Sequence, residues 1–339
     1  MSIPNKPLAE LRVAIVGYGS IGRRHCDNLE RLGVSRRIVV RRAESANPAF
    51  TPPPDVTVVH SISAAIEHGL DLAIICNPTA QHVASARQFI AAGVPVLIEK
   101  PLAHRLADAE ELLEENRRTT TPAGMAYSMR YHPAYALARE HVQSGRLGRV
   151  LYAKAWFETY LPDWHPWEDY RLSYAARREL GGGVLPTLDH EIDFLNGCLG
   201  PPLAARGMIA RSGTLELDAS DIATLSIEYG GGVLAAVALS LCRRRLSRGF
   251  EFIGSDATVR YDFDTARLSL QSSKPSASEV LWDGSAYDFN ELYLEMLRDV
   301  LSAVAESRAS PVPLQSGVET LKVIGQIPGA IEDAQSNKI

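Results

Sequence analysis

The run Val13-Ala14-Ile15-Val16-Gly17-Tyr18-Gly19-Ser20-Ile21-Gly22 places three glycines in the spacing G-x-G-x-x-G, directly after a β-branched stretch and at the opening of a helical pattern. In that setting Gly17 permits a tight turn, Gly19 lets backbone approach a pyrophosphate, and Gly22 allows close helix packing. The helix N-terminus adds amide donors and a positive dipole end. Gly17, Tyr18, Gly19, Ser20, Ile21 and Gly22 are therefore read as a dinucleotide site, against the alternative of a plain structural turn. A carboxylate for the ribose hydroxyls is expected about 20 residues further on. The nineteenth residue after Gly22 is instead Arg41, followed by Arg42. A guanidinium there pairs bidentately with a 2′-phosphate, which favours NADP over NAD. Two alternatives stay open: the arginines form a solvated edge, or Glu44 takes the acidic role.

Glu99-Lys100-Pro101 follows the apolar run Val94–Ile98, at the carboxyl end of an expected parallel strand, where open α/β sheets place ligands. Pro101 biases Lys100 to an extended backbone. A lysine so placed can hydrogen-bond a substrate oxygen and stabilise developing negative charge; the alternative is a snorkelling surface amine. Asp163-Trp164-His165-Pro166-Trp167-Glu168-Asp169-Tyr170-Arg171 crowds aromatic rings among charges. Faces of Trp164 and Trp167 over C–H surface suit a carbohydrate, and Arg171, Arg177 or Arg178 can hold a carboxylate or phosphate on it. The competing reading is a lid or dimer-contact loop with tryptophan anchors.

The elements that must position these residues follow from periodicity. Short β-branched runs at Arg12–Val16, Arg37–Val40, Val56–Val59, Leu72–Ile75 and Val94–Ile98 alternate with helical patterns at Arg23–Leu32 and Ala80–Ala92. This is the signature of βαβ units and a parallel sheet. Arg41–Asp55, with four prolines, reads as a loop. A helix at Leu106–Arg118 and a Thr/Pro/Gly break at Thr119–Gly124 place a domain boundary near Pro122. Strands are then expected at Val150–Phe157, Ala223–Tyr229, Val233–Leu239, Gly249–Ile253, Thr258–Phe263 and Ala266–Leu270, with a hairpin at Gly230–Gly232. Helices are expected at Pro133–Ser144, Pro186–Leu199, Phe289–Ala305 and Ser316–Ile327. The fold class is α/β: a Rossmann domain (1–122) with a parallel sheet, then an α+β domain (123–339) with a mostly antiparallel open sheet, serving substrate binding and oligomerisation.

At 339 residues, 46% hydrophobic and 22% charged, the chain has ordinary globular composition for two domains. A net charge of -5 argues against a partner bound through its phosphate backbone, so nucleic acid is not expected. Cys26, Cys76, Cys198 and Cys242 are scattered without a CxxC pair, as expected of reduced cytoplasmic thiols. Met1–Glu10 lacks an apolar h-region, and the longest apolar stretch, Val233–Leu239, is far short of a bilayer span, so neither export nor a membrane is expected.

Four features in order resemble the glucose-fructose oxidoreductase and inositol dehydrogenase (Gfo/Idh/MocA) family: the Gly17–Gly22 fingerprint; Asn77-Pro78-Thr79 followed by His82; Glu99-Lys100-Pro101; and Gly181-Gly182-Gly183 followed by His190-x-x-Asp193. Arg130-Tyr131-His132-Pro133 and Gly145–Gly148 resemble the family's connector into its second domain, and the run 163–183 resembles a branch associated with bacterial surface sugars. The resemblance implies an NAD(P)-dependent dehydrogenase acting on a CH–OH group of a sugar, sugar derivative or cyclitol, as a homodimer or homotetramer. By resemblance, Asn77, Pro78, Thr79, His82, Glu99 and Lys100 join the cofactor site, and a cis Lys100–Pro101 bond is expected. Lys100 matches the active-site lysine and His190 the catalytic histidine. Arg130, Tyr131, Trp164, Trp167, Arg171, Thr187 and Asp189 are placed at the substrate.

One departure matters. The family commonly has an aspartate three or four residues before the histidine; here Thr187 stands three before His190, and a hydroxyl carries no charge to support an imidazolium. Asp189, adjacent in sequence, points about 100° away on a helix. Asp193, at i+3, either orients the His190 ring or is an ordinary helix carboxylate. Asp189-His190-Glu191 lacks HExxH spacing, so no metal is expected. Two other functions stay open: a non-redox dinucleotide-binding regulator, which Thr187 favours, and an enzyme that uses transient oxidation for epimerisation, hydrolysis or elimination.

Overall fold

β-Branched runs too short for helices become strands, and those of the first third pair in parallel. The computed structural model of the protein describes residues 6–42, 51–164, 166, 169–272 and 278–331. The chain divides into two compact units. The first comprises residues 1–103, 107–128 and 290–318. Along it run β1 (Arg12–Val16), α1 (Ser20–Arg31), β2 (Arg36–Val40), β3 (Thr57–Val59), α2 (Ile62–Ile66), β4 (Leu72–Ile75), α3 (His82–Ala91), β5 (Val96–Ile98), α4 (Leu106–Arg117) and β6 (Ala123–Met125). The six strands form one parallel sheet in the order β3-β2-β1-β4-β5-β6. Strand order reverses at β1, where such sheets open a crevice beyond their carboxyl ends.

α1 turns Gly22, His25, Cys26 and Leu29 inward, the i, i+3, i+4, i+7 stripe of a helix that covers a sheet. Two polar residues, His25 and Asn28, are buried on it, and each finds a partner within this unit, as buried polar groups must. The sheet continues past Pro122 to β6, three residues of weak β propensity paired with β5. Pairing at the sheet edge, not local sequence, places the boundary beyond the expected position.

The second unit comprises residues 104–106, 129–289 and 319–339. It holds α5 (Pro133–Gln143), β7 (Val150–Tyr160), α6 (Val184–Thr187), α7 (His190–Leu199), β8 (Pro202–Ala210), β9 (Ile222–Tyr229), β10 (Val233–Ser240), β11 (Cys242–Gly254), β12 (Ala257–Asp262), β13 (Arg267–Ser272) and β14 (Ser278–Asp283). After it, α8 (Glu291–Ala305) returns to the first unit, where it packs on α1, and α9 (Leu314–Gly325) leads from the first unit into the second. The eight strands lie in the order β14-β13-β12-β11-β7-β10-β9-β8, antiparallel except for β7 with β10. The hairpin at Gly230–Gly232 joins β9 to β10 as expected. The helix expected at Pro186–Leu199 is two, α6 and α7, broken at Leu188 (φ -111°, ψ 33°). Apolar periodicity runs across the break, which is why the sequence reads as one helix.

His132 caps α5 by accepting the Ala134 N–H at 3.2 Å. Five rings surround it: Tyr135, Tyr261, Trp282, Tyr287 and Phe289. Burial, and then the charge of Arg248, push its pKa down to about 3. The folded unit thus keeps His132 neutral, while the unfolded chain protonates it below about 6.5, so stability falls as pH drops from 6.5 toward 3. Two pH units at about 1.4 kcal/mol each predict a loss of about 2 to 3 kcal/mol between pH 6.5 and 4.5 from this one group. Urea unfolding of wild type and His132→Asn, which keeps a cap but not the titration, measures it; equal pH slopes in the two proteins refute the assignment.

Candidate active site

The glycine turn has the geometry that its spacing predicts. Gly17 has φ +90°, and a Cβ there would lie 2.8 Å from the Asn77 backbone. A Cβ on Gly22 would sit 2.1 Å from the Gly17 carbonyl oxygen. At Gly19, by contrast, no described atom lies within 4 Å of an added Cβ, so this backbone faces open space. Gly19 is also the N-cap of α1 and places no side chain on the first-turn amides, which leaves the N–H groups that follow at Ser20 and Ile21 to meet an anion. The donor set and the bare backbone fit a dinucleotide pyrophosphate. Tyr18 is buried, and burial pushes its phenol up in pKa.

Arg41 and Arg42 stand just beyond β2, half-buried and exposed respectively. The Arg41 N–H donates to Val59 O at 3.0 Å, and His60 Nδ1 lies 2.9 Å from Arg41 O. Glu44 lies outside the described residues. After β4, Asn77 Nδ2 donates to Ser85 Oγ at 2.8 Å, and Thr79 is buried after Pro78. His82 is buried with Nε2 at 2.8 Å from Asn77 O and Nδ1 at 2.8 Å from Pro101 O. Burial lowers its pKa. The ring therefore lies between the carbonyls of two turns, and its one N–H donates to one of them.

Glu99 is almost fully buried, and its N–H donates to Ile75 O at 3.0 Å. Its Oε1 lies 2.7 Å from His25 Nε2 and its Oε2 accepts the Lys100 N–H at 3.2 Å. Lys100 is half-buried, and its bond to Pro101 is cis.

In the second unit the triple glycine is a packed turn. A Cβ on Gly182 would lie 2.0 Å from Tyr174 O, and Gly183 has φ +115° where α6 begins. Thr187 ends α6, and Asp189 precedes α7; both are buried, and His190 opens α7 half-buried. The break at Leu188 removes the single-helix geometry on which the spacing argument for Thr187 and Asp189 rests.

Asp193 is paired with Arg130. Both its oxygens accept from Arg130, Oδ2 from Nε at 2.8 Å and Oδ1 from Nη2 at 2.6 Å. The pair ties α7 to the segment before α5 and commits the Arg130 guanidinium to a carboxylate of its own unit. Burial pushes Asp193 up in pKa, and Arg130 offsets only part of that. On the other side of His190, Glu191 Oε1 accepts from Arg248 Nε at 2.7 Å, both residues buried, with the guanidinium 4.4 Å from the Phe157 ring centroid. The first turn of α7 is thus held by two ion pairs. Its acidic groups also suit the positive end of a helix.

Trp164 is fastened to β7, its Nε1 donating to Thr159 Oγ1 at 2.9 Å with its ring stacked toward Phe157. Arg171 pairs with Asp169 at 2.8 Å and with Glu216, in the connection between β8 and β9, at 3.2 Å, so its charge is met within its own unit. Tyr131 is half-buried, and Trp167 lies outside the described residues. Among the described residues no group of three or more His, Cys, Asp or Glu is placed to hold a metal, and no helix is long and apolar enough to cross a membrane. Sequence reasoning missed His25, Glu191 and Arg248. For His25 a signal existed: a polar residue at the third position after Gly22, inside the buried stripe.

Comparison with known proteins agrees with this architecture. The profile described as "Oxidoreductase family, NAD-binding Rossmann fold" (Gfo/Idh/MocA) matches residues 11–127, and the Gfo/Idh/MocA C-terminal domain matches 135–260. A myo-inositol dehydrogenase (Hyg17) of Streptomyces leeuwenhoekii is 31% identical over 41% of this chain and 43% of its own. An inositol 2-dehydrogenase of Cereibacter sphaeroides is 26% identical over 88% of this chain and 87% of its own. The chain spans about half the length of the first curated relatives it matches. Among solved structures, a levoglucosan dehydrogenase in complex with NADH superposes with TM-score 0.81 at 17% identity, covering 94% of this chain and 96% of that one. UDP-N-acetylglucosamine 3-dehydrogenase GnnA from Acidithiobacillus ferrooxidans gives 0.76 at 21%, covering 95% and 98%. These structures share the fold. With the two profiles matched in order along the chain, over the units just described, the protein belongs to the Gfo/Idh/MocA oxidoreductase family.

Proposed function

We propose that the protein is an NAD(P)-dependent dehydrogenase that moves a hydride between a nicotinamide and a carbinol carbon of a sugar, sugar derivative or cyclitol. The observation that carries the reading is the open backbone at Gly19 on an uncapped α1, in the same unit whose β5 leads into Lys100. The relatives' names, inositol dehydrogenases among them, supply the substrate class. When bound, the nicotinamide supplies or accepts the hydride. Lys100 donates a hydrogen bond to the substrate oxygen and stabilises its alkoxide character. His190 removes the proton on oxidation and returns it on reduction, work suited to an imidazole near neutral pH.

Arg41 and Arg42 support NADP as the preferred cofactor, because the position of a ribose-binding carboxylate holds a guanidinium. Four free thiols support a reducing, cytoplasmic setting. Exposed Leu203, Met208 and Leu234 on the strands β8 and β10 support a homodimer or homotetramer. The decisive experiment is a fluorescence titration with NADPH and NADH, followed by turnover on a panel of sugars and cyclitols. Arg41→Asp is expected to weaken NADPH about 10- to 100-fold, the worth of one charge-assisted hydrogen bond, and NADH much less. Binding of neither nucleotide would end the oxidoreductase reading. Tight binding with no turnover on any substrate would select the regulator that Thr187 favours.

A further inference from the structure

We propose that His25 is a positioning residue for Lys100, acting through Glu99: an imidazole on the dinucleotide helix holds the carboxylate that in turn holds the lysine's main chain. The inference rests on the reading of Lys100 given above. His25 is fully buried on α1, with its Nε2 2.7 Å from Glu99 Oε1, while Glu99 Oε2 accepts the Lys100 N–H. The ring meets Tyr293 of α8 edge-on, centroids 6.2 Å apart.

The bonding pattern selects the protonation state. His25 Nδ1 is buried with no hydrogen-bond partner among the described residues. A neutral ring carrying its proton on Nε2 leaves only a lone pair unmet there. An imidazolium, or a ring accepting from a protonated Glu99, would instead bury an unmet N–H at Nδ1, which costs more. The consistent arrangement is therefore Nε2–H donating to an ionised Glu99, which can accept from the ring and the Lys100 amide together.

The other side of the lysine is held as well. Pro101 O lies 2.8 Å from His82 Nδ1, so the main chain flanking the Lys100 side chain is bracketed by two buried histidines. His25 comes from α1, which opens at the glycine turn, and His82 from α3, next to Asn77. His25 follows Gly22 by three residues, one turn along the same buried stripe. The link thus registers Lys100 against the turn that receives the dinucleotide. A residue that merely filled the core would not need a donor aimed at Glu99.

The test uses the full chain with His25→Phe, of similar volume but no donor, and His25→Gln, whose amide reaches the Nε2 position. Three readouts are taken: hydrogen exchange of the Lys100 amide, kcat, and the NADPH Kd. His25→Phe is expected to speed Lys100 amide exchange at least about tenfold and to lower kcat about 10- to 100-fold, with Kd changed less than about threefold. His25→Gln restores most of both. Unchanged exchange in a folded His25→Phe overturns the proposal. If that variant does not fold, His25→Asn replaces it, since its shorter amide cannot reach Glu99; equal exchange and kcat in the Asn and Gln variants overturn the proposal. Lys100→Met separates the two ideas: full turnover in that variant overturns the role of Lys100, while the exchange data still decide whether His25 holds it.

Discussion

Lys100→Met is expected to lower kcat by about 10²- to 10⁴-fold while leaving NADPH affinity within about threefold. Methionine keeps the length and apolar stem of lysine and removes only the ammonium donor, so the loss reports stabilisation of charge on the substrate oxygen. Affinity is expected to survive because, in the proposed reading, the pyrophosphate is received away from the ammonium, by the open backbone at Gly19 and the uncapped start of α1. Steady-state kinetics on the best substrate of the panel, paired with a fluorescence titration, measures both quantities. A variant retaining more than about a tenth of wild-type kcat would remove Lys100 from the chemistry, because a lost general acid or oxyanion donor costs more than that.

The second large effect is on stability. Arg130→Met is expected to destabilise the second unit by about 3 to 5 kcal/mol at pH 7, since it leaves the Asp193 carboxylate buried without its counter-charge. Arg130 is itself only 18% exposed and Asp193 3%, so solvent screens the pair weakly. The sign of the pH dependence follows from the same burial. Without the guanidinium, the folded unit binds a proton at Asp193 at a pH where the unfolded chain does not. Stability of the variant relative to wild type therefore rises as pH falls from 7 toward 5. The described tryptophans, Trp156, Trp164 and Trp282, belong to the second unit, so urea unfolding followed by tryptophan fluorescence reads it directly. Adding Asp193→Asn to Arg130→Met should recover much of the loss, because a buried amide costs less than a buried unpaired charge. A loss below about 1 kcal/mol, the level of an exposed pair, would show that the bidentate bond contributes little.

The amino-acid sequence by itself determined the parts of the protein that depend on neighbours along the chain. The glycine spacing at 17, 19 and 22 was legible because a tight turn, a close approach and a helix start are each local demands on one residue. The parallel strands were legible from β-branched runs at regular intervals, and Lys100 from its place after one of them. Arg41 was legible by counting, since the distance from a glycine turn to the end of the next strand is set by one helix and one strand. Even the buried stripe of α1 can be read as a period of 3.6 residues.

Tertiary structure alone decided what each charged group faces. Asp193 reads in sequence as a neighbour of His190 at i+3, yet its oxygens are taken by Arg130, sixty-three residues away. Glu191 meets Arg248 at a separation of fifty-seven, and His25 meets Glu99 at seventy-four. No periodicity encodes such pairs. They form because sheet and helix packing bury groups that cannot stay buried without partners, and the partner is whichever complementary side chain the topology brings near. The same holds for β6, whose three residues become a strand only because β5 offers an edge. It holds too for the break at Leu188, which divides a continuous apolar pattern into α6 and α7. Local rules specify the turn, the strands and the side chains that follow them; long-range burial specifies how those side chains are held.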